Sequence, residues 1–209
     1  MRNTSLATLA FVALAASPAA AAELTITVRT ADGRPVQDAV ITLKPAGAPA
    51  AAPIKFNWAY TVSQQNIAFN PYVLIVPVGS DVSFPNKDNV RHHVYSFSPV
   101  KKFELKLYGR QEERTVRFDK PGVVPLGCNI HDQMIGYVYV VDTPFATKTG
   151  PDGTVTIRNL PGAAASMTVW HPLMKTARNQ VVKPVTYAAS GSRSLVTVDL
   201  RAASGAHNH

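Results

Sequence analysis

The chain's single cysteine, Cys128, is followed three residues later by His131 and three residues after that by Met134. Residues 119–126 have the pattern of a turn leading into a strand, and residues 135–141 have the pattern of a second strand. Copper that cycles between Cu(I) and Cu(II) prefers two imidazoles and one thiolate in a trigonal plane, with a weak axial thioether. This loop therefore offers three of the four ligands that a copper site for electron transfer needs.

The fourth ligand should come from a distant strand, and the segment containing His92 and His93 can supply it. Neighbouring residues on a regular strand point to opposite faces, so only one of these imidazoles can reach the metal. His92 would share a face with Val94. The opposite face would carry His93 with Tyr95 and Phe97. Because both faces carry large apolar side chains, the alternation alone leaves both histidines as candidates.

Residues 1–22 have the features of a secretory signal that is cleaved before Glu23. Arg2 provides the positive start, and residues 6–16 provide the apolar centre. This apolar run is too short and too rich in alanine to favour a permanent membrane span. We therefore expect a periplasmic protein without a membrane span.

A lone cysteine in an exported protein cannot form an internal disulfide, and a free thiol is open to oxidation. Coordination to a metal would protect Cys128, because a coordinated thiol is held as the thiolate. The alternatives are that Cys128 is an inert buried cysteine and that Met134 is an ordinary core methionine.

The formal net charge of +8 falls to +7 when Arg2 is removed with the signal. Basic residues are interleaved with acidic ones and are densest between residues 101 and 120. This region is either a solvated strand face or a patch that steers an acidic redox partner. Nucleic acid is not an expected partner, since an exported chain without a recognisable binding motif gives no reason for one.

The hydrophobic pattern predicts an all-β protein. Two strands near the N-terminus, at residues 24–29 and 39–43, are too few to bury their own apolar face. About seven short strands between residues 58 and 142 predict a β-sandwich. Further strands after residue 150 could complete a second sandwich with the N-terminal pair, so the economical arrangement inserts the central sandwich into the outer one.

The central region resembles the cupredoxins, the small blue copper proteins. Three features carry the resemblance. One is the turn Phe118–Gly122, and another is the spacing of Cys128, His131 and Met134, which is similar to that of amicyanin. The third is the position of His92 before His93-Val94. It implies a Greek-key β-sandwich with one type 1 copper. It also implies the ligand set His92, Cys128, His131 and Met134.

The chain also looks like exported proteins that are often labelled methylamine utilisation proteins. The segments that carry this likeness are Phe69–Pro71, Ser83–Asn86, His92–Ser98, Gly127–His131 and Val141–Pro144. Together these segments give a resemblance that covers residues 58–144.

The flanking segments resemble carboxypeptidase regulatory-like, transthyretin-like sandwiches, through Asp32–Val40 and Asp152–Gly162. The implied organisation is an outer sandwich of residues 23–50 and 145–201 around a cupredoxin domain of residues 58–144. Residues 202–209 would be a flexible tail. This outer fold is carbohydrate-binding-like in general shape.

Two residues depart from the family pattern. Amicyanin-like proteins usually have asparagine after the first histidine ligand, where this chain has His93. They also have proline before the second histidine, where this chain has Ile130. The asparagine normally ties the two ligand loops together.

The resemblance implies an electron carrier, not an enzyme, with a periplasmic cytochrome or dehydrogenase as its redox partner. Two alternatives are a copper-binding or delivery protein and an extracytoplasmic binding module with a vestigial copper site. Among the other histidines, we expect His171 to be structural, and His207 and His209 to bind metal only adventitiously. Trp58, Tyr95 and Tyr137 are expected in the core or at its rim and not as electron relays.

Overall fold

The computed structural model describes residues 22–47 and 53–202. The predicted signal lies outside the described residues except for Ala22, which is the first residue of a strand. The tail histidines His207 and His209 also lie outside them. Apart from one 3₁₀ turn at Ala177–Asn179, every regular element in these ranges is a strand. No helix in the described ranges is long and apolar enough to cross a membrane.

The strands, in chain order, are β1 (Ala22–Thr30), β2 (Val40–Pro45), β3 (Ser63–Gln65), β4 (Ala68–Asn70), β5 (Val73–Pro77), β6 (Ser80–Pro85), β7 (His92–Phe97), β8 (Lys102–Tyr108), β9 (Glu113–Phe118), β10 (Gly122–Cys128), β11 (Ile135–Val141), β12 (Ala146–Lys148), β13 (Thr154–Leu160), β14 (Ala164–Trp170), β15 (Gln180–Thr186) and β16 (Ser192–Val198).

The outer sandwich consists of the sheets β13-β1-β16 and β12-β2-β14-β15. In β1, Leu24, Ile26 and Val28 are fully buried while the residues between them are half-exposed, as expected for a strand with one face on a core. These side chains share one apolar cluster with Ile41 and Met167 from the facing sheet. The N-terminal and C-terminal segments therefore form one core.

The central sandwich contains the five-stranded sheet β5-β11-β10-β7-β8 and the two-stranded sheets β6-β9 and β3-β4. Its own core includes Phe84, Phe118, Val94 and Val138. The chain leaves the outer sandwich after β2 and returns at β12, which pairs antiparallel with β2. The predicted all-β fold, with one sandwich inserted into another, is confirmed.

The two sandwiches pack against each other through Trp170. Its indole ring lies 5.4 Å from the Tyr137 ring and 5.3 Å from the Tyr139 ring, both in edge-on geometry. Val73 and Ile75 of β5 belong to the same cluster. The outer sandwich therefore covers the β5–β11 side of the outer face of the five-stranded sheet.

Candidate metal centre

The predicted ligand loop connects β10 to β11 and is fixed by its backbone. Cys128 is the last residue of β10 and pairs with Val94 of β7. The N–H of Asn129 donates to the carbonyl oxygen of His93 at 3.1 Å, and the N–H of Met134 donates to the carbonyl of His131 at 2.9 Å. The loop is thus closed on itself and tied to the strand that carries the two upstream histidines.

Three of the predicted ligands converge. The Nδ1 atoms of His92 and His131 lie 3.7 and 3.6 Å from the Sγ of Cys128. The three donor atoms all lie within 4.8 Å of one another, and the described residues contain one such cluster of His, Cys, Asp or Glu side chains. The two imidazole rings have centroids 5.0 Å apart.

These separations fit a shared metal ion. A first-row metal has bonds of about 2.3 Å to sulfur and about 2.0 Å to imidazole nitrogen. At the angles of a trigonal or tetrahedral centre, those bonds place the sulfur and a nitrogen about 3.5–3.7 Å apart. Both observed sulfur–nitrogen distances fall in this interval. One thiolate with two imidazoles is also the donor set that copper prefers in electron-transfer sites.

The candidate centre is shielded from solvent on most sides. Cys128 is 3% exposed, His92 is 0% exposed and Met134 is 1% exposed. His131 is half-buried, so it is the ligand candidate nearest to solvent. Met134 belongs to the same apolar core cluster as Cys128.

The structure distinguishes the two adjacent histidines. His92 points inward, and its Nε2 lies 2.8 Å from Oδ2 of Asp88, which leaves Nδ1 facing Cys128. His93 points to the outer face, where its Nε2 pairs with Oε1 of Glu104 at 2.8 Å. The geometry therefore favours His92 as the upstream ligand.

Asp88 contacts the candidate centre, and the sequence pattern did not reveal it. Its carboxylate accepts hydrogen bonds from the backbone N–H groups of Asn66 at 2.7 Å and Ile67 at 3.0 Å, as well as facing His92. Burial alone would raise the pKa of Asp88, but the hydrogen bonds from Ile67, His92 and Asn66 outweigh it and lower that pKa. The carboxylate thus fixes the orientation of the His92 ring.

The same contact holds an unusual turn in place. Asn66 and Ile67 connect β3 to β4 and have φ values of +57° and +55°. A β-branched residue with positive φ is an outlier, so it needs support from its surroundings. Asp88 supplies that support, and the side chain of Asn86 accepts a bond from the Asp88 N–H at 2.9 Å. The only available sequence signal was an aspartate four residues before a histidine.

Gly127 is required by the packing beside the cysteine. A Cβ at this position would lie 2.8 Å from Cζ of Tyr95, because the tyrosine ring covers the backbone of β10. A larger residue before Cys128 would displace the ring or the strand.

His171 is also buried, at 6% exposure, but it lies in the outer sandwich. The N–H of Leu173 donates to its Nδ1 at 3.3 Å. Burial lowers the pKa of His171 to about 4, and the nearby Asp38 only partly opposes this shift. These surroundings hold a neutral imidazole and agree with the structural role expected for it.

Part of this chain is similar to several solved structures of copper proteins. A Cu-containing nitrite reductase from Thermus scotoductus SA-01 is 29% identical over 48% of this chain, with a TM-score of 0.38, and the match spans only 25% of the reductase. A purple cupredoxin from Nitrosopumilus maritimus is 22% identical, with 39% of this chain and 98% of that chain covered and a TM-score of 0.36. The reduced Cu(I) form of a mutant amicyanin is 24% identical, with 48% of this chain and 98% of that chain covered and a TM-score of 0.37.

No family model and no curated protein matches the sequence.

Proposed function

We propose that the protein is a periplasmic type 1 copper protein that carries single electrons between redox partners. The observation that carries this proposal is the convergence of one thiol and two imidazole nitrogens, with sulfur–nitrogen distances of 3.6 and 3.7 Å. That donor set, in that spacing, is suited to a soft metal that changes oxidation state.

Each residue of the candidate centre has a distinct role in this proposal. Cys128 would provide the thiolate ligand, His92 and His131 would provide the two imidazole ligands, and Met134 would provide a weakly bound thioether. The bound copper would supply the change between Cu(I) and Cu(II). The protein contributes a buried, pre-formed arrangement of ligands, with Asp88 holding the His92 ring, so that little rearrangement accompanies the change of charge.

The burial of the centre supports a carrier over a copper-delivery protein. Delivery requires a ligand on the recipient to reach the ion, whereas Cys128 and His92 have exposed fractions of 3% and 0%. Electron transfer needs no such access. The intact donor geometry also gives no support to a vestigial site.

The narrower parts of the proposal follow from the sequence. Export to the periplasm rests on the pattern of residues 1–22, and the assignment of residues 58–144 as the copper domain rests on the family resemblance. The partner would be a periplasmic cytochrome or dehydrogenase. The label of methylamine utilisation protein rests on the likeness of short sequence segments and assigns no pathway.

The test is titration of the purified protein with Cu(II). We expect one equivalent to produce an intense visible absorption from thiolate-to-copper charge transfer. Ascorbate should bleach this absorption, and ferricyanide should restore it over repeated cycles.

Two variants control this titration. Cys128→Ser removes the thiolate and should abolish the charge-transfer band. His171→Gln changes a buried imidazole outside the candidate centre and should leave the band intact. A colourless wild-type complex, or a full-strength band in Cys128→Ser, would contradict the proposal.

A further inference from the structure

The outer face of the five-stranded sheet has a second half, which the described part of the outer sandwich does not cover. This half is formed by β7, β8 and the end of β10, on the side away from Trp170. We call it the β7–β8 face and define it by Tyr95, Phe97, Lys102, Lys106, Pro125 and Ile135.

The centre of the β7–β8 face is aromatic and exposed. Phe97 is 79% exposed, the highest fraction among the large apolar side chains of the described residues. Its ring lies 5.0 Å from that of Tyr95, and Ile135 of β11 is 39% exposed. Clustered apolar groups in solvent mark a contact surface more often than scattered ones do.

A groove runs from this aromatic centre towards the candidate metal centre. β7 and β10 pair only at Gly127–Tyr95 and Cys128–Val94. Further along β10, Pro125 has no N–H to continue the ladder, so the strands separate. The resulting groove has a volume of about 560 Å³, and its lining includes Tyr95, Phe97, Cys128 and Met134.

Two lysines lie beside the aromatic centre, and one exposed carboxylate, Asp132, lines the groove. Lys102 and Lys106 are exposed on β8, and neither ammonium group has an ion-pair partner within the described residues. The carboxylate between them, Glu104, is paired with His93. An aromatic centre with free lysines at its edge is complementary to an acidic protein surface.

The same charges disfavour other occupants. Two copies of this chain that met through this face would bring their lysines together. Lysines on an edge strand such as β8 also oppose the addition of another strand. An acidic partner is therefore the occupant that the surface fits.

We infer that the β7–β8 face is a docking surface for an acidic protein whose contact area has an apolar centre ringed by carboxylates. The identity of that partner as a redox protein rests on the proposed function, because the groove brings it to the Cys128 side of the centre. His131 does not line this groove, so the surface is separate from the solvent-facing histidine.

The test uses ¹⁵N-labelled full-length protein, both copper-free and with Cu(I), and the soluble domain of cytochrome b5 as an acidic haem-protein probe. At low ionic strength we expect saturable shifts of amide signals in β7 and β8, which weaken as salt is added. Shifts confined to the loop around Ile130 and His131, or no saturable binding, would overturn the inference.

Matched variants locate the contact. Phe97→Ser and Lys102→Glu should each raise Kd about tenfold, as expected for central contact residues. Leu195→Ser on the outer sandwich and Lys55→Glu beside Phe56 make the same kinds of change away from the β7–β8 face and should change Kd less than about twofold. Equal effects of both sets would overturn the inference in favour of general charge attraction.

Sedimentation of the free protein tests whether a second copy of this chain binds to the β7–β8 face. A dimer that Phe97→Ser dissociates would overturn the inference in favour of self-association. Because the copper-free protein is measured as well, loss of docking can be told apart from failure of the proposed function, which is judged by the charge-transfer band alone.

Discussion

The two sandwiches each bury a histidine, and the groups that surround the two imidazole rings differ. His92 is 0% exposed and His171 is 6% exposed. Around His92, one ring nitrogen faces a thiol and the other faces a carboxylate. Around His171, burial dominates and lowers the pKa to about 4. Burial by itself therefore produces an inert imidazole, and a metal centre needs donors that converge on the same point.

The largest expected effect separates His92 from its neighbour on the strand. His92→Ala should abolish the charge-transfer band, because it removes a donor 3.7 Å from the thiol sulfur. His93→Ala should retain the band, because that side chain pairs with Glu104 on the outer face. Visible absorption of the copper-loaded variants measures both. A band that survives in His92→Ala and disappears in His93→Ala would reverse the assignment.

The second prediction concerns the pH dependence of stability at His171. Its folded pKa of about 4 lies below the ordinary value of 6.5, so the unfolded chain takes up a proton first. The stabilisation is fully present above pH 6.5 and is lost as the pH falls from 6.5 towards 4. Its size is roughly 3 kcal/mol in the free energy of unfolding.

Denaturant unfolding of the copper-free protein between pH 7 and pH 4 checks this prediction. His171→Gln keeps an acceptor for the Leu173 N–H but cannot titrate. Other groups titrate in both proteins, so the wild type should lose more stability than the variant over this interval. Parallel pH curves would show that the buried imidazole contributes nothing.

The smallest expected effect is at Asp88. Asp88→Asn removes the charge that faces His92 Nε2 and should weaken Cu(I) affinity about 10–100-fold. Competition with a chelator of known affinity measures the change. Asp81→Asn, in an exposed ion pair with Arg117, is the control and should leave the affinity unchanged. Equal affinities for all three proteins would show that the Asp88 contact does not position the ligand.

Much of the framework could be predicted from the sequence alone. Alternating apolar residues predicted a strand at residues 135–141, and these are the observed bounds of β11. The strand patterns within residues 119–126 and 135–141 placed the ligand loop between two strands, as observed. These features are local, and local patterns determine strands and their turns.

Other strands were missed because their sequences lack that pattern. β15 contains Pro184 in its middle and exposes Val182, and a proline within a run argues against a strand. β3 and β4 have only three residues each, and the turn between them places Ile67 in a left-handed conformation that a sequence rarely signals.

The family resemblance implied His92, but the alternation of residues along the strand could not choose between His92 and His93. Both faces of β7 carry large apolar residues, so the alternation had no buried side to identify. The outer face exposes Phe97 to solvent. An apolar side chain on this strand therefore does not indicate the buried face. The role of Asp88 depends on a contact with the separate β3–β4 turn, which only the folded chain brings near.

The junction between the sandwiches has a consequence for how such a chain can be rebuilt. Thr42 of β2 and Ala146 of β12 are direct partners across an antiparallel pair, so the central unit enters and leaves at neighbouring points. Closing such a long excursion costs little more entropy than closing a short one, since that cost grows only with the logarithm of length. The register of the β2–β12 pair therefore does not depend on which domain is inserted there. A different domain with adjacent ends could be inserted at the same point.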